Sequence, residues 1–92
     1  MWIVLEGAEA RKQLRLAPIE IREKYTAWVT HMQDGGPEVI RGLRGLRDEA
    51  LSGRWDGCRS SRLNRQWRVV YRIDRDNVEV IVIRVTPHDY RR

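Results

Sequence analysis

The hydrophobic pattern of this chain changes its period once, and that change limits the folds available to it. From Ile21 to Met32, apolar residues recur at positions i, i+4, i+7, i+8 and i+11, which is helical spacing. We assign this stripe, including Tyr25 and Trp28, to the core. From residue 67 to residue 73 every second side chain is apolar, which is the period of a strand. A helical half followed by a strand-rich half predicts an α+β fold.

Shorter signals complete the predicted order of elements. Strand-forming residues occupy positions 2–5, and the alanine- and charge-rich residues 8–16 favour a first helix. Pro18 begins the second helix, and the Asp-Gly-Gly-Pro sequence at 34–37 ends it, with another turn or two of helix over residues 39–46. Three strand-like runs follow, at about 58–64, 66–73 and 78–85, with a polar hairpin loop at 74–77.

This order, β-α-α-β-β-β, predicts two helices packed on one face of a mainly antiparallel sheet, in a single domain that spans residues 1–92. The middle strand assigns its side chains to the two faces. The side chains predicted to point towards the helices are Trp67, Val69, Tyr71 and Ile73. Those predicted to point outward are Arg68, Val70 and Arg72. The second face of the sheet is therefore expected to be open and basic.

All of the excess positive charge lies in the second half of the chain. The formal net charge is +5, but residues 1–50 balance eight basic residues with eight acids, whereas residues 51–92 contain ten arginines and five acids. The planar fork of arginine suits phosphate better than the point charge of lysine. The distribution therefore favours a nucleic acid as partner. The alternative is an arginine-rich composition, common in GC-rich genomes, that carries solvated charge without a ligand.

Strand pairing would bring several of these arginines together, where they repel one another unless an anion is bound. The predicted RNA-binding residues are Arg59, Arg62, Arg65, Arg72, Arg84 and Arg91. In the alternative interpretation the arginines are structural and pair with acids of the same half: Asp56, Asp74, Glu79 or Asp89.

Arg68, His88 and Tyr90 are the candidate catalytic residues. Arg68 lies in the middle of a predicted strand, a rigid setting from which a guanidinium can stabilise the charge of a phosphoryl transition state. His88 and Tyr90 are separated by one residue, so an extended tail presents both on one side, and histidine titrates near neutral pH. The alternatives are a structural ion pair for Arg68 and a frayed terminus for the other two.

Other kinds of site are not indicated. Two histidines, one cysteine and scattered acids show no metal-ligand spacing, and there is no glycine-rich phosphate loop, so we expect neither metal nor cofactor. No run approaches the roughly 18 apolar residues of a membrane helix, and residues 1–5 are too short for a signal peptide. Cys58 is the single cysteine and cannot form an internal disulfide. We therefore expect a cytoplasmic protein without a membrane partner.

Two segments resemble the RelE/ParE superfamily of type II toxins, and the resemblance covers essentially the whole chain. Residues 57–71, Gly-Cys-Arg-Ser-Ser-Arg-Leu-Asn-Arg-Gln-Trp-Arg-Val-Val-Tyr, are similar to the family's basic strand, short Asn-containing turn and Arg-hydrophobic-hydrophobic-Tyr strand. Residues 88–90, His-Asp-Tyr, resemble the carboxyl end of YoeB-like and HigB-like members, although there the His and Tyr are adjacent. The resemblance implies a RelE-like microbial RNase fold.

The resemblance also implies a ribosome-dependent endoribonuclease that cuts mRNA in the ribosomal A site without a metal. In such toxins the ribose 2′-hydroxyl attacks the adjacent phosphate, which leaves a 2′,3′-cyclic phosphate and a 5′-hydroxyl. By this resemblance Arg68 would stabilise the transition state, His88 and Tyr90 would transfer protons or orient the nucleotide, and Glu49, expected in a loop, would match the general base of YoeB-like enzymes.

The implied partners are a cognate antitoxin and the 70S ribosome with its mRNA and rRNA. Two other functions stay open at this point. The first is a ParE-like inhibitor of DNA gyrase, a class that lacks the Arg, His and Tyr set. The second is a non-catalytic nucleic-acid-binding module, in which the arginines only hold phosphates.

Overall fold

The computed structural model describes residues 1–89, which form two α-helices and a five-stranded sheet. The helices are α1 (Ala8–Leu16) and α2 (Ile19–Gly42). The strands are β1 (Ile3–Glu6), β2 (Glu49–Ala50), β3 (Cys58–Arg62), β4 (Arg68–Asp74) and β5 (Glu79–Thr86). The predicted α+β order is confirmed, with β2 as an additional short strand. Within the described residues, neither helix has the length and apolar composition needed to cross a membrane.

The strands lie side by side in the order β1-β5-β4-β3-β2. Each neighbouring pair from β2 to β5 is antiparallel, whereas β1 runs parallel to β5, so the prediction of a mainly antiparallel sheet is confirmed. A β-bulge interrupts the pairing of β4 with β5, because Val70 pairs with Arg84 and Tyr71 with Val82. The extra residue in β5 turns Arg84 to the face opposite Val82.

The core lies between α2 and the sheet. Ile21, Trp28 and Met32 from the predicted helical stripe are buried against Val69 and Tyr71 of β4. The Trp28 and Tyr71 rings meet edge to face, with their centroids 5.2 Å apart. The assignment of the stripe to the core is therefore confirmed, and so is the direction of the alternating side chains in β4.

Helix α2 bends at Gly36, inside the segment predicted to end it. The backbone leaves the helical region there, at φ 76° and ψ −172°, and the helix resumes at Pro37 and continues to Gly42. The predicted end at 34–37 is thus a kink. Glycine is required at residue 36 because of its positive φ, and because a Cβ would lie 2.3 Å from Nε1 of Trp2.

We expect Gly36→Ala to lower the free energy of unfolding by about 2 kcal/mol or more, since alanine adds both positive-φ strain and a clash with Trp2. Gly42→Ala is a matched control in the same helix, because a Cβ there would meet nothing within 4 Å. That change should leave stability unchanged or raise it by up to about 1 kcal/mol. Urea unfolding followed by circular dichroism measures both, and equal effects would contradict this account of the kink.

Candidate nucleic-acid interface

The pairing of the strands identifies the side chains on the sheet face opposite the helices, which we call the open face. Residues directly opposite one another on neighbouring strands point to the same face. Three rows of such residues cross the open face: Arg62, Arg68 and Thr86; Glu49, Ser60, Val70 and Arg84; and Cys58, Arg72 and Ile81. Four of the predicted functional arginines are therefore brought onto one face by β3, β4 and β5.

Arg68 is almost fully buried on this face, with 7% of its surface exposed. It lies directly opposite Arg62 on β3, and two like charges in that position destabilise the pair. Within residues 1–89, the Nε atom of Arg68 is buried and has no hydrogen-bond partner. Burying an unused donor costs free energy, which an oxygen acceptor such as phosphate would recover. This row of the open face is therefore suited to an anion.

The chain beyond β5 returns to Arg68. The His88 amide donates to Oγ1 of Thr86 at 3.2 Å, and Thr86 lies directly opposite Arg68. Nη2 of Arg68 lies 3.6 Å from Oδ2 of Asp89, so the ion pair considered as an alternative role for Arg68 is present. His88 is exposed at the same end of the face. The predicted catalytic Tyr90 and the predicted RNA-binding Arg91 lie outside the described residues.

Glu49 lies in a strand, so the prediction that it lies in a loop was wrong. It pairs with Ser60 across β2 and β3, and this pairing places its side chain on the open face. Because β3 separates β2 from β4 and Glu49 lies one row away from Arg68, the two backbones are about two strand spacings and one row apart, roughly 12 Å.

Arg59 lies on the helix side of the sheet, so its assignment to the open face was wrong. It is opposite Tyr71, a core residue, and its Nε donates to Oδ1 of Asp48 at 2.6 Å. The Asp48 side chain is 0% exposed and also accepts hydrogen bonds from the hydroxyls of Ser61, at 2.7 Å, and Tyr71. We call these four residues the Asp48 network. The carboxylate compensates the charge of Arg59 and holds its side chain on the helix side of the sheet, away from the open face.

The Asp48 network shifts the titration of two of its members. Burial raises the pKa of the Tyr71 hydroxyl, and the negative charge of Asp48 raises it further. Burial opposes the charge of Arg59, but the hydrogen bond and charge of Asp48 outweigh it and raise the pKa of the guanidinium. Both shifts favour the phenol form of Tyr71 and the charged form of Arg59, and the network anchors the chain immediately before Glu49.

Trp55 contacts Arg84, a residue of the open face. It belongs to a short 3₁₀ helix, Gly53–Trp55, and the guanidinium carbon of Arg84 lies 5.5 Å from its ring centroid, within cation–π range. Arg84 is directly opposite Val70, so Trp55 contacts the open face through the row that contains Val70. Val70 is 0% exposed and Ser60 is 3% exposed, although the helices lie on the other face. The face predicted to be open is thus partly covered.

Two predicted RNA-binding residues lie at the edges of this surface. Arg72 is exposed in the row next to Arg84, and Arg65 is exposed in the turn that joins β3 to β4. Oδ1 of Asn64 accepts from the amides of Gln66 and Trp67, at 2.8 and 2.7 Å, and this Asx turn fixes the loop that carries Arg65. Over residues 1–89, no three His, Cys, Asp or Glu side chains lie together as potential metal ligands.

No protein-family profile and no curated protein sequence matches this chain. Solved structures do match it. A YoeB/ParE toxin from Agrobacterium tumefaciens superposes with a TM-score of 0.78 at 19% identity, over 95% of this chain and 99% of that one. YafQ from E. coli superposes with a TM-score of 0.77 at 16% sequence identity, over 94% of this chain and 92% of YafQ. A chain of the toxin–antitoxin complex RelBE2 from Mycobacterium tuberculosis superposes with a TM-score of 0.61 at 26% sequence identity, over 92% of this chain and 95% of that one.

Proposed function

We propose that this chain, whose fold is that of the RelE-like toxins, is the toxin of a type II toxin–antitoxin system and acts as an endoribonuclease on mRNA. The observation that carries the proposal is the state of Arg68. Its guanidinium is buried at the open face, opposite a second arginine, with an Nε donor that no group within residues 1–89 uses. Nη2 of Arg68 pairs with Asp89 at 3.6 Å, but this ion pair leaves the Nε donor unused, and a phosphate would satisfy it.

The reaction that fits these residues needs no metal. The ribose 2′-hydroxyl attacks the adjacent phosphorus, the bond to the 5′-oxygen breaks, and a 2′,3′-cyclic phosphate and a 5′-hydroxyl result. Negative charge grows on the non-bridging oxygens, and Arg68 stabilises it without reorganisation because β4 already holds the guanidinium in place. His88 transfers the protons between the two hydroxyls, with Tyr90 and Glu49 as further candidates for this acid and base work.

The other arginines of the surface hold the RNA backbone. The proposed set is Arg62, Arg65, Arg72, Arg84 and Arg91. The proposed substrate is mRNA in the A site of the 70S ribosome, where the chain would also contact rRNA. Acting on ribosomes implies that the protein works in the cytoplasm. The proposed protein partner is a cognate antitoxin, since related folds are solved as RelBE2, YoeB–YefM and RelE–RelB complexes. An acidic antitoxin segment would complement the net charge of +5.

Primer extension on mRNA from cells induced to express the protein tests this proposal. We expect growth arrest and cuts within translated frames, and we expect a reporter mRNA without a start codon to stay intact under the same induction. The His88→Ala variant tests whether the tail takes part in the chemistry. Growth arrest with intact mRNA would overturn the nuclease function and favour gyrase inhibition, and RNA binding with neither arrest nor cleavage would favour a non-catalytic module.

A further inference from the structure

The contact between Trp55 and Arg84 takes no part in the proposed cleavage step, yet it lies on the same face as Arg68. We infer that Trp55, held by Arg84, is a base-stacking residue that receives the base of a nucleotide whose phosphate lies at Arg68. The inference rests on the proposed function, because it concerns how the same face binds single-stranded RNA. It adds a residue that recognises the base, where the arginines recognise phosphate.

The position of the ring supports this assignment. Arg84 and Val70 lie in the row next to Arg68 and Thr86, and one row is two residues along a strand, about 7 Å. The Trp55 ring contacts Arg84 of that neighbouring row, so the contact lies about one nucleotide step along the strand from the row of Arg68. Proteins that bind single strands combine a positive groove with aromatic side chains on which bases stack. Trp55 is the aromatic residue that contacts an open-face arginine among residues 1–89.

The ring is also held in place before any RNA binds. Arg84 contacts it at 5.5 Å and fixes its own guanidinium by donating from Nη1 to the carbonyl oxygen of Ile83 at 2.9 Å. Trp55 itself stays partly exposed. A rigid, partly exposed ring loses little conformational entropy when a base stacks on it. The arrangement also supplies a positive charge next to the base.

A purely structural role for Trp55, as a packing partner of Arg84 that covers part of the face, makes a different prediction. Loss of a cover would change the protein in the same way whether or not the RNA carries a base at that position. A stacking residue affects only RNA that has the base. The two roles therefore separate in a binding experiment that removes the ring in one arm and the base in the other.

The probe is a 2′-O-methyl oligoribonucleotide, which cannot be cleaved by 2′-hydroxyl attack, together with a series of the same oligonucleotide that carries one abasic position each. Fluorescence anisotropy measures the affinity of the wild type, Trp55→Phe and Trp55→Leu. Trp55→Leu should weaken binding of the base-bearing oligonucleotide about 10-fold, and Trp55→Phe should keep most of the affinity. One abasic position should weaken RNA binding by the wild type by a similar factor, and it should leave the affinity of Trp55→Leu almost unchanged. If Trp55→Leu lost affinity equally for base-bearing and abasic RNA, or lost no affinity for either, the inference would be overturned.

A second measurement uses the wild type alone and does not depend on the folding of a variant. Ultraviolet crosslinking to the same oligonucleotide, read by mass spectrometry, should place an adduct on Trp55, and adducts confined to other residues would overturn the inference. The proposed function can fail separately. If cells show no mRNA cleavage but oligonucleotide binding depends on both ring and base, the stacking site stands and the nuclease does not. If mRNA is cut but Trp55→Leu changes neither the RNA affinity nor the cut positions, the nuclease function stands and the stacking site does not.

Discussion

Replacing Arg68 by alanine is expected to lower the rate of mRNA cleavage by about 10²–10³-fold while the protein stays folded. The loss is large because the Arg68 side chain is 8% exposed and its backbone is fixed in β4, so no solvent molecule or neighbouring side chain replaces it in the same geometry. Arg68→Ala loses the ion pair with Asp89 and some buried packing, but it also removes the repulsion from Arg62 directly opposite, which offsets part of that loss and lets the fold tolerate the change. Single-turnover cleavage on programmed ribosomes measures the rate, and thermal unfolding measures the stability.

Arg72→Ala is the matched control, because Arg72 lies on the same strand and the same face but is exposed. We expect it to weaken RNA binding a few-fold and to reduce the salt dependence of binding by about one phosphate contact, with little change in the rate at saturation. Arg68→Lys keeps the charge but loses the planar fork, so its rate should fall between those of wild type and alanine. An equal loss of rate for Arg68→Ala and Arg72→Ala would remove the special role of Arg68.

Asp48→Ala is expected to lower the free energy of unfolding by about 3–5 kcal/mol, the largest effect on stability that we predict. The change removes the carboxylate from the Asp48 network and leaves the Arg59 guanidinium and the Ser61 and Tyr71 hydroxyls without their acceptor. The side chain is 0% exposed, so water cannot take its place without disturbing the core. Chemical denaturation measures the change.

The exposed pair of Glu38 and Arg75 provides the comparison, since its atoms are also close, at 3.0 Å, but both side chains are more than half exposed. Arg75 lowers the pKa of Glu38, yet solvent screens the pair and Glu38→Ala should change stability far less than Asp48→Ala. The double variant Asp48→Ala/Arg59→Leu should recover part of the loss, because it removes the buried charge left unpaired. Similar losses for Asp48→Ala and Glu38→Ala, or no recovery, would show that the network does not stabilise the fold.

The two strands of the central hairpin show where a sequence pattern determines a face and where it does not. In β4 the side chains of Val69 and Tyr71 alternate with those of Arg68, Val70 and Arg72. The burial of Val69 and Tyr71 in the core fixes these other residues on the opposite side. In β3 the sequence is Cys-Arg-Ser-Ser-Arg, with no apolar alternation to break the symmetry. Arg59 therefore could not be distinguished from Arg62 by periodicity, and its face depends on a partner elsewhere in the chain.

That partner, Asp48, gave no local signal because it lies in a segment without regular period. The residue before Asp48, Arg47, has a positive φ of 43°. The strand β2 begins directly after Asp48 and has only two residues. A strand this short is defined by its pairing with β3 rather than by propensity, so Glu49 could be proposed as a functional residue but not placed on the sheet. Trp55 was missed for the same reason, since its contact with Arg84 crosses an intervening strand.

The parallel pairing of β1 with β5 has a consequence for the kinetics of folding. Ile3 pairs with Glu79, so β1 and its only neighbour in the described sheet are separated by most of the chain. During synthesis, β1 therefore cannot pair until β5 has been made. Closing a loop of that length costs entropy before the contacts repay it, which predicts slow final assembly. Thr86, at the end of β5, also completes the row that holds Arg62 and Arg68. A nascent chain therefore has no complete row until β5 has been synthesised, and under the proposed function it could not cut the mRNA that encodes it before then.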